Sequence, residues 1–75
     1  MLPLTNLIVV ELQRLKGNAK ERELYKNIKY LMSSFDSKEL SYSDFIKALM
    51  VLELRGIIRV ESIKKGKRII YLVKR

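Results

Sequence analysis

The strongest constraint on the fold lies near the end of the chain, where two runs rich in β-branched residues flank a short basic segment. The runs cover residues 57–63 and 68–73, and the segment KKGK lies between them at residues 64–67. β-Branched residues favour strands, and Gly66 can adopt the positive φ that a tight turn needs. The pattern therefore predicts a β-hairpin over residues 57–73 with a basic tip.

Three helical segments are predicted before the hairpin, over residues 5–16, 20–33 and 41–55. Each has apolar residues at spacings of three and four, the period of an α-helix with one buried face. In the first helix Glu11 is the one polar member of that stripe. Ser41 precedes the third helix with capping-box spacing to Asp44, and Gly56 follows it as a typical helix stop.

The remaining segment, from Ser33 to Leu40, is rich in Ser and Asp and is predicted to be a loop with Phe35 and Leu40 turned inward. Met32 and Met50 are predicted to fill the core. The expected fold is therefore α+β, a single domain in which three helices are followed by a two-stranded β-hairpin. At 75 residues it has one core, which packing alone must stabilise because the sequence has no Cys.

The basic residues are concentrated in the second half of the chain. The sequence has 16 Lys and Arg against 8 Asp and Glu, a net charge of +8. Residues 1–40 have seven basic and five acidic side chains, whereas residues 41–75 have nine and three. Such a concentration favours a polyanionic partner, nucleic acid above all. A solvated basic surface without a partner is the alternative.

Several classes of function lack the residues they need. Without His or Cys the chain has no imidazole base, no thiolate nucleophile and no zinc-type ligand set, and its three glycines are too scattered to cradle a phosphate. We therefore expect no enzymatic activity, no catalytic residue, no metal site and no cofactor. The apolar run at residues 7–10 is far shorter than the ~20 residues of a membrane span. We expect no leader peptide, no membrane contact and a cytoplasmic, nucleoid-associated protein.

One stretch of the sequence resembles a known family. LELRGIIRV at residues 52–60, followed by the basic turn and RIIYL at 68–72, resembles the junction between recognition helix and wing in winged helix-turn-helix proteins. Residues 23–73 are also similar to the C-terminal winged helix of archaeal origin-recognition initiators, through the segments ELYK, LSYSDF and KGK. The sequence has no Walker motif, so no nucleotide-binding role is carried over. Its Lys- and Ile-rich composition is typical of a thermophile.

This resemblance implies a partner and a set of contacts. In such modules the third helix enters the major groove and the wing contacts the backbone or minor groove. Double-stranded DNA is then the partner, in transcription regulation or DNA replication. The implied DNA contacts are Ser41, Tyr42, Ser43 and Lys47 on the third helix, and Lys64, Lys65, Lys67 and Arg68 on the wing.

Winged helices also bind proteins, which leaves a second interpretation open. The chain would then be an accessory subunit of a DNA polymerase or of another nucleic-acid-processing complex, with exposed Val51 and Leu54 as docking residues. The first helix is apolar round more of its circumference than one core covers. Packing on two sides within the fold would explain that run. The alternative is contact with a second copy in a homodimer, or with a larger replication or transcription protein, through Leu7, Val9 and Val10.

Overall fold

The computed structural model describes residues 4–36 and 39–73, the side chains of residues 35 and 36 excepted. Its elements, in chain order, are α1 (Leu4–Arg14), β1 (Asn18–Lys20), α2 (Glu21–Asp36), α3 (Tyr42–Leu54), β2 (Ile58–Lys64) and β3 (Lys67–Leu72). The class is α+β with three helices, as predicted. The sheet, however, has three antiparallel strands in the order β1-β3-β2, so the prediction of a two-stranded sheet was wrong.

The strand that the sequence pattern misses is β1. A helix stop at Gly17 and a helix start at Lys20 leave too few residues between them to show the alternation of a strand. In the structure Gly17 has a φ of 96°, and the chain then runs extended alongside β3. Ala19 is buried there opposite Ile70. Tertiary pairing therefore forms β1, where local propensity gives no signal.

The terminal hairpin forms where it is predicted. β2 and β3 pair antiparallel, with Ile58 opposite Leu72 and Val60 opposite Ile70. Gly66 closes the turn at a φ of 81°, a value that a residue with a Cβ rarely adopts. The register is irregular between Ser62 and Lys64, so the ladder is disturbed next to the tip.

The helices differ from their predicted bounds mainly at the end of α2, which continues to Asp36 through the first half of the predicted loop. Ser33 and Ser34 donate their hydroxyl protons to the Tyr30 carbonyl, over 2.9 and 3.1 Å. These bonds to the preceding turn let Ser residues remain helical. α1 begins one residue earlier and ends two residues earlier than predicted, and α3 is one residue shorter at each end.

One apolar core joins the helices to the sheet. Its largest fully buried side chains come from all three helices and β3, and are Phe45, Ile8, Leu12, Leu24, Ile28, Leu52 and Ile70. Leu40 is buried as predicted, and the Phe35 side chain lies outside the described part of the chain. Met32 packs half-buried against the core. Met50 is 56% exposed on the outward face of α3, so its predicted place in the core was wrong.

Glu11, the polar member of the α1 stripe, is only 3% exposed. Arg14 donates to its two carboxylate oxygens from Nε and Nη2 over 2.8 and 2.6 Å, and Asn27 of α2 donates to Oε2 over 3.0 Å. The hydrogen bonds from Arg14 lower the pKa of Glu11 more than burial raises it. The carboxylate therefore stays charged and links α1 to α2.

Replacing Glu11 with Gln should lower the free energy of unfolding at neutral pH by about 1–3 kcal/mol, because hydrogen bonds to a charged group are the stronger ones. The pKa of Glu11 is lower in the folded state than in the unfolded state. Its contribution is therefore present above the unfolded pKa and is lost as the pH falls through the folded pKa. Urea unfolding at several pH values should show the deficit shrinking in acid.

The matched control is Glu23→Gln, which removes the same charge from an exposed position on α2. It should change stability by no more than about 0.5 kcal/mol at either pH. Equal effects of the two substitutions would contradict a stabilising role for the buried carboxylate of Glu11.

Candidate nucleic-acid interface

The N-terminus of α3 is fixed by a side-chain cap. Ser41 has extended backbone angles, and its Oγ accepts a hydrogen bond from the Asp44 amide over 3.1 Å. The predicted N-cap is thus confirmed, and the hydroxyl proton of Ser41 is not used by that bond. Asp44 is exposed in the first turn, where a carboxylate interacts favourably with the helix dipole.

The outward face of α3 changes character along its length. The buried face of α3 consists of Phe45, Ala48, Leu49 and Leu52. Residues on the opposite side of the helix form an exposed stripe with helical spacing. That outward stripe consists of Ser43, Lys47, Met50 and Leu54. Its first half is polar, and its second half is apolar, with Leu54 86% exposed. Ser43 and Lys47 are therefore accessible, as a nucleic-acid contact requires.

The tip of the hairpin is a group of exposed like charges. Lys64, Lys65 and Lys67 all project into solvent around Gly66. Lys64 lies directly opposite Lys67 in the strand register. Like charges directly across an antiparallel pair destabilise it. A polyanion bound at the tip would relieve that repulsion.

Two of the predicted contact residues, Tyr42 and Arg68, meet at Glu21, which no sequence pattern singles out. The Tyr42 hydroxyl donates to Glu21 Oε1 over 2.6 Å, and Arg68 Nε lies 3.1 Å from Glu21 Oε2. The strand register explains the meeting. Lys20 pairs with Ile69, so the next residue of the chain, Glu21, lies beside Arg68.

Glu21 determines the protonation of Tyr42 and the charge pairing of Arg68 in this cluster. The hydrogen bond to Glu21 is the main cause that raises the pKa of Tyr42, so its hydroxyl keeps its proton. That proton points to Glu21 and is not available to a phosphate. Tyr42 therefore offers an incoming ligand its half-exposed ring and the lone pairs of its oxygen. Arg68 keeps 46% of its side chain exposed.

A groove of about 300 Å³ separates α3 from the hairpin. α3 contributes apolar Ile46, Leu49 and Met50, and Val60 faces them from β2. The remaining lining residues are polar or charged, namely Glu21, Glu53, Ser62 and Arg68. Met50 of the outward stripe and Arg68 of the hairpin thus border one groove, which places the two candidate binding elements on the same side of the molecule.

The three candidate partner contacts on α1 differ in how exposed their side chains are. Leu7 is buried in the core, so its predicted availability to a partner was wrong, and packing within the fold explains it. Val9 is half-buried against the same core, whereas Val10 is 52% exposed. Within the apolar run at residues 7–10, all of which the structure describes, only Val10 has a side chain that is more than half exposed.

No protein-family model matches the chain, and no curated protein and no solved structure matches it. Within residues 4–36 and 39–73, no helix has both the length and the apolar character that crossing a membrane requires. The same residues contain no group of three or more His, Cys, Asp or Glu side chains arranged to hold a metal ion.

Replacing Val9 with Lys should lower the midpoint of thermal unfolding, because a charge would then be forced against the core. Val10→Lys adds the same charge at an exposed position and should change stability by no more than about 0.5 kcal/mol. Thermal unfolding and light-scattering mass of both variants check this. An unchanged midpoint together with a smaller mass for Val9→Lys would instead identify Val9 as a contact between copies.

Proposed function

We propose that this protein is a winged-helix module that binds double-stranded DNA in transcription regulation or DNA replication. The element order supports the proposal, since α3 follows α2 as in a helix-turn-helix, and the β2–β3 hairpin follows α3 directly, where a wing would lie. The observation that carries it is the exposed basic tip at residues 64–67, on the hairpin that shares a groove with α3.

Docking on this surface is mainly electrostatic. The first half of α3, with Ser43 and Lys47, is the part that would enter the major groove, while Lys65 and Lys67 would contact phosphates. The bidentate base readers Arg, Asn and Gln are missing from residues 41–50. Phosphate contacts consequently supply most of the affinity, and sequence preference is weak.

Changing Lys65 and Lys67 together to Ala should weaken DNA binding about equally on all duplex sequences. The plot of log K against log[salt] should lose about 0.9 in slope for each phosphate contact removed. Lys47→Ala should instead alter the preference among duplex sequences, because its position faces base edges. Fluorescence anisotropy titrations at several salt concentrations measure both effects.

The matched control is the pair Lys26→Ala and Lys29→Ala, which removes two exposed lysines from α2. This control should weaken binding much less than the change at the hairpin tip. If the variant at the tip binds as tightly as the wild type at low salt, the wing does not contact DNA.

A second candidate function is favoured by the apolar half of the outward stripe. Met50 and Leu54 are largely exposed and Val51 is partly so, which is an uncommon use of large apolar side chains on a solvated helix. On this reading the module docks through α3 onto a larger protein, as an accessory subunit of a DNA polymerase or of a similar complex. DNA binding by the isolated chain would then be weak.

Replacing Leu54 with Lys separates the two candidate functions. Because Leu54 is exposed, stability should change by no more than about 0.5 kcal/mol. If DNA is the main partner, the added charge leaves the affinity for duplex DNA unchanged or slightly higher. If α3 docks on a protein, Leu54→Lys should abolish the co-purification of a larger subunit from native extract that the wild-type chain shows.

A further inference from the structure

We infer that Glu21 is a positioning residue for DNA binding, which holds the Arg68 guanidinium in an ion pair beside the groove between α3 and the wing, where that guanidinium binds a phosphate. The inference rests on the proposed function and adds to it a residue outside the recognition helix and the wing.

One carboxylate joins three elements. Glu21 is the first residue of α2, Tyr42 is the first residue of α3, and Arg68 lies on β3. Oε1 of Glu21 accepts the Tyr42 hydroxyl proton, while Oε2 faces Arg68 Nε. The start of α3 and the end of β3 next to the wing tip are therefore tied to the same group, which sets their relative position.

The ion pair has a physical reason to persist when DNA binds. The Glu21 side chain is only 13% exposed, and its Oε2 receives no hydrogen bond within the described residues. Arg68 supplies the charge that compensates this oxygen. Removing one partner of such a pair leaves an uncompensated buried charge, which is strongly destabilising. A phosphate is consequently added to Arg68 without displacing Glu21.

The geometry leaves Arg68 with donors to spare. A guanidinium has five N–H groups, and its planar fork suits two oxygens of one phosphate. The ion pair with Glu21 brings Nε to 3.1 Å from Oε2, and 46% of the Arg68 side chain stays exposed to a ligand. An arginine already held in place loses less side-chain entropy when it binds an anion.

Tyr42 supports Glu21 from the other side. Its ring packs edge-on against Tyr25 with centroids 5.4 Å apart, and the Tyr25 hydroxyl donates to the Leu40 carbonyl over 2.9 Å. The raised pKa of Tyr42 agrees with a proton held toward Glu21. The carboxylate is thus held between a braced tyrosine and the guanidinium.

The test compares Glu21→Gln with Glu53→Gln. Both remove one negative charge from the same groove, but Glu53 has no ion pair among the described residues, and Gln at position 21 still accepts the Tyr42 proton. Anisotropy titration with a duplex oligonucleotide should show Glu53→Gln binding as tightly as the wild type or tighter. Glu21→Gln should bind about 3- to 10-fold more weakly than Glu53→Gln, the scale of immobilising one long side chain. Equal affinities of the two variants would overturn the inference.

A double-mutant cycle shows whether Glu21 acts through Arg68. In an Arg68→Ala background, Glu21→Gln should cause no further loss of affinity. If it weakens binding as much there as in the wild type, Glu21 supports the fold alone and the inference fails.

Arg68→Lys is a second test that leaves Glu21 in place. Lysine keeps the positive charge but lacks the planar guanidinium that Glu21 holds. Arg68→Lys should weaken binding about as much as Glu21→Gln, and wild-type affinity would overturn the inference.

Two readouts keep this result separate from the proposed function. The order of the Arg68 side chain, followed by ¹⁵N relaxation of its Nε without DNA, should be higher in the wild type than in Glu21→Gln, because the ion pair restrains the guanidinium. If Arg68 is ordered in the wild type and all the variants bind DNA equally tightly, positioning is contradicted but DNA binding stays intact. Wild-type protein that shows no salt-dependent binding to duplex DNA overturns the proposed function, and the positioning role with it.

Discussion

The pairing of β1 with β3 is the contact on which the candidate interface depends. A hairpin of two strands is marginally stable in water, and the third strand lets it bury Ala19 and Ile70 against the helices. Because β1 leads straight into α2, the same pairing brings the first residue of α2 beside β3. Three residues of strand therefore fix the hairpin on the helices and create the contact between Glu21 and Arg68.

Local patterns in the sequence were sufficient for the features that neighbouring residues determine. The hairpin turn follows from Gly66 between β-branched runs, and the start of α3 follows from the Ser41 cap. Two features that these patterns missed, β1 and the role of Glu21, depend on contacts distant in sequence. β1 is too short to show a period, and its residues become a strand only because β3 lies beside them. Glu21 is one of several charged residues at the start of a helix, and nothing local distinguishes it from Glu23.

Glu11 and Glu21 each pair a mostly buried carboxylate with an arginine, but they differ in how their oxygens are satisfied. Glu11 receives hydrogen bonds on both oxygens, two of them from Arg14 three residues away on the same helix. Both oxygens of Glu11 are therefore satisfied within the fold, without a ligand. Glu21 has one oxygen bonded to Tyr42 and the other facing Arg68, which lines the groove. Burial alone does not distinguish them, whereas the count of satisfied oxygens does.

The change from polar to apolar along α3 separates the two candidate functions in space. An α-helix rises about 1.5 Å per residue, so Ser43 and Leu54 lie about 16 Å apart along one stripe. Ser43 is one residue beyond Tyr42 and so lies next to the cluster with Arg68, whereas Leu54 is the last residue of α3. Phosphate contacts at the start of the helix leave its far end uncovered. The exposed apolar side chains there are therefore compatible with DNA binding and do not argue against it.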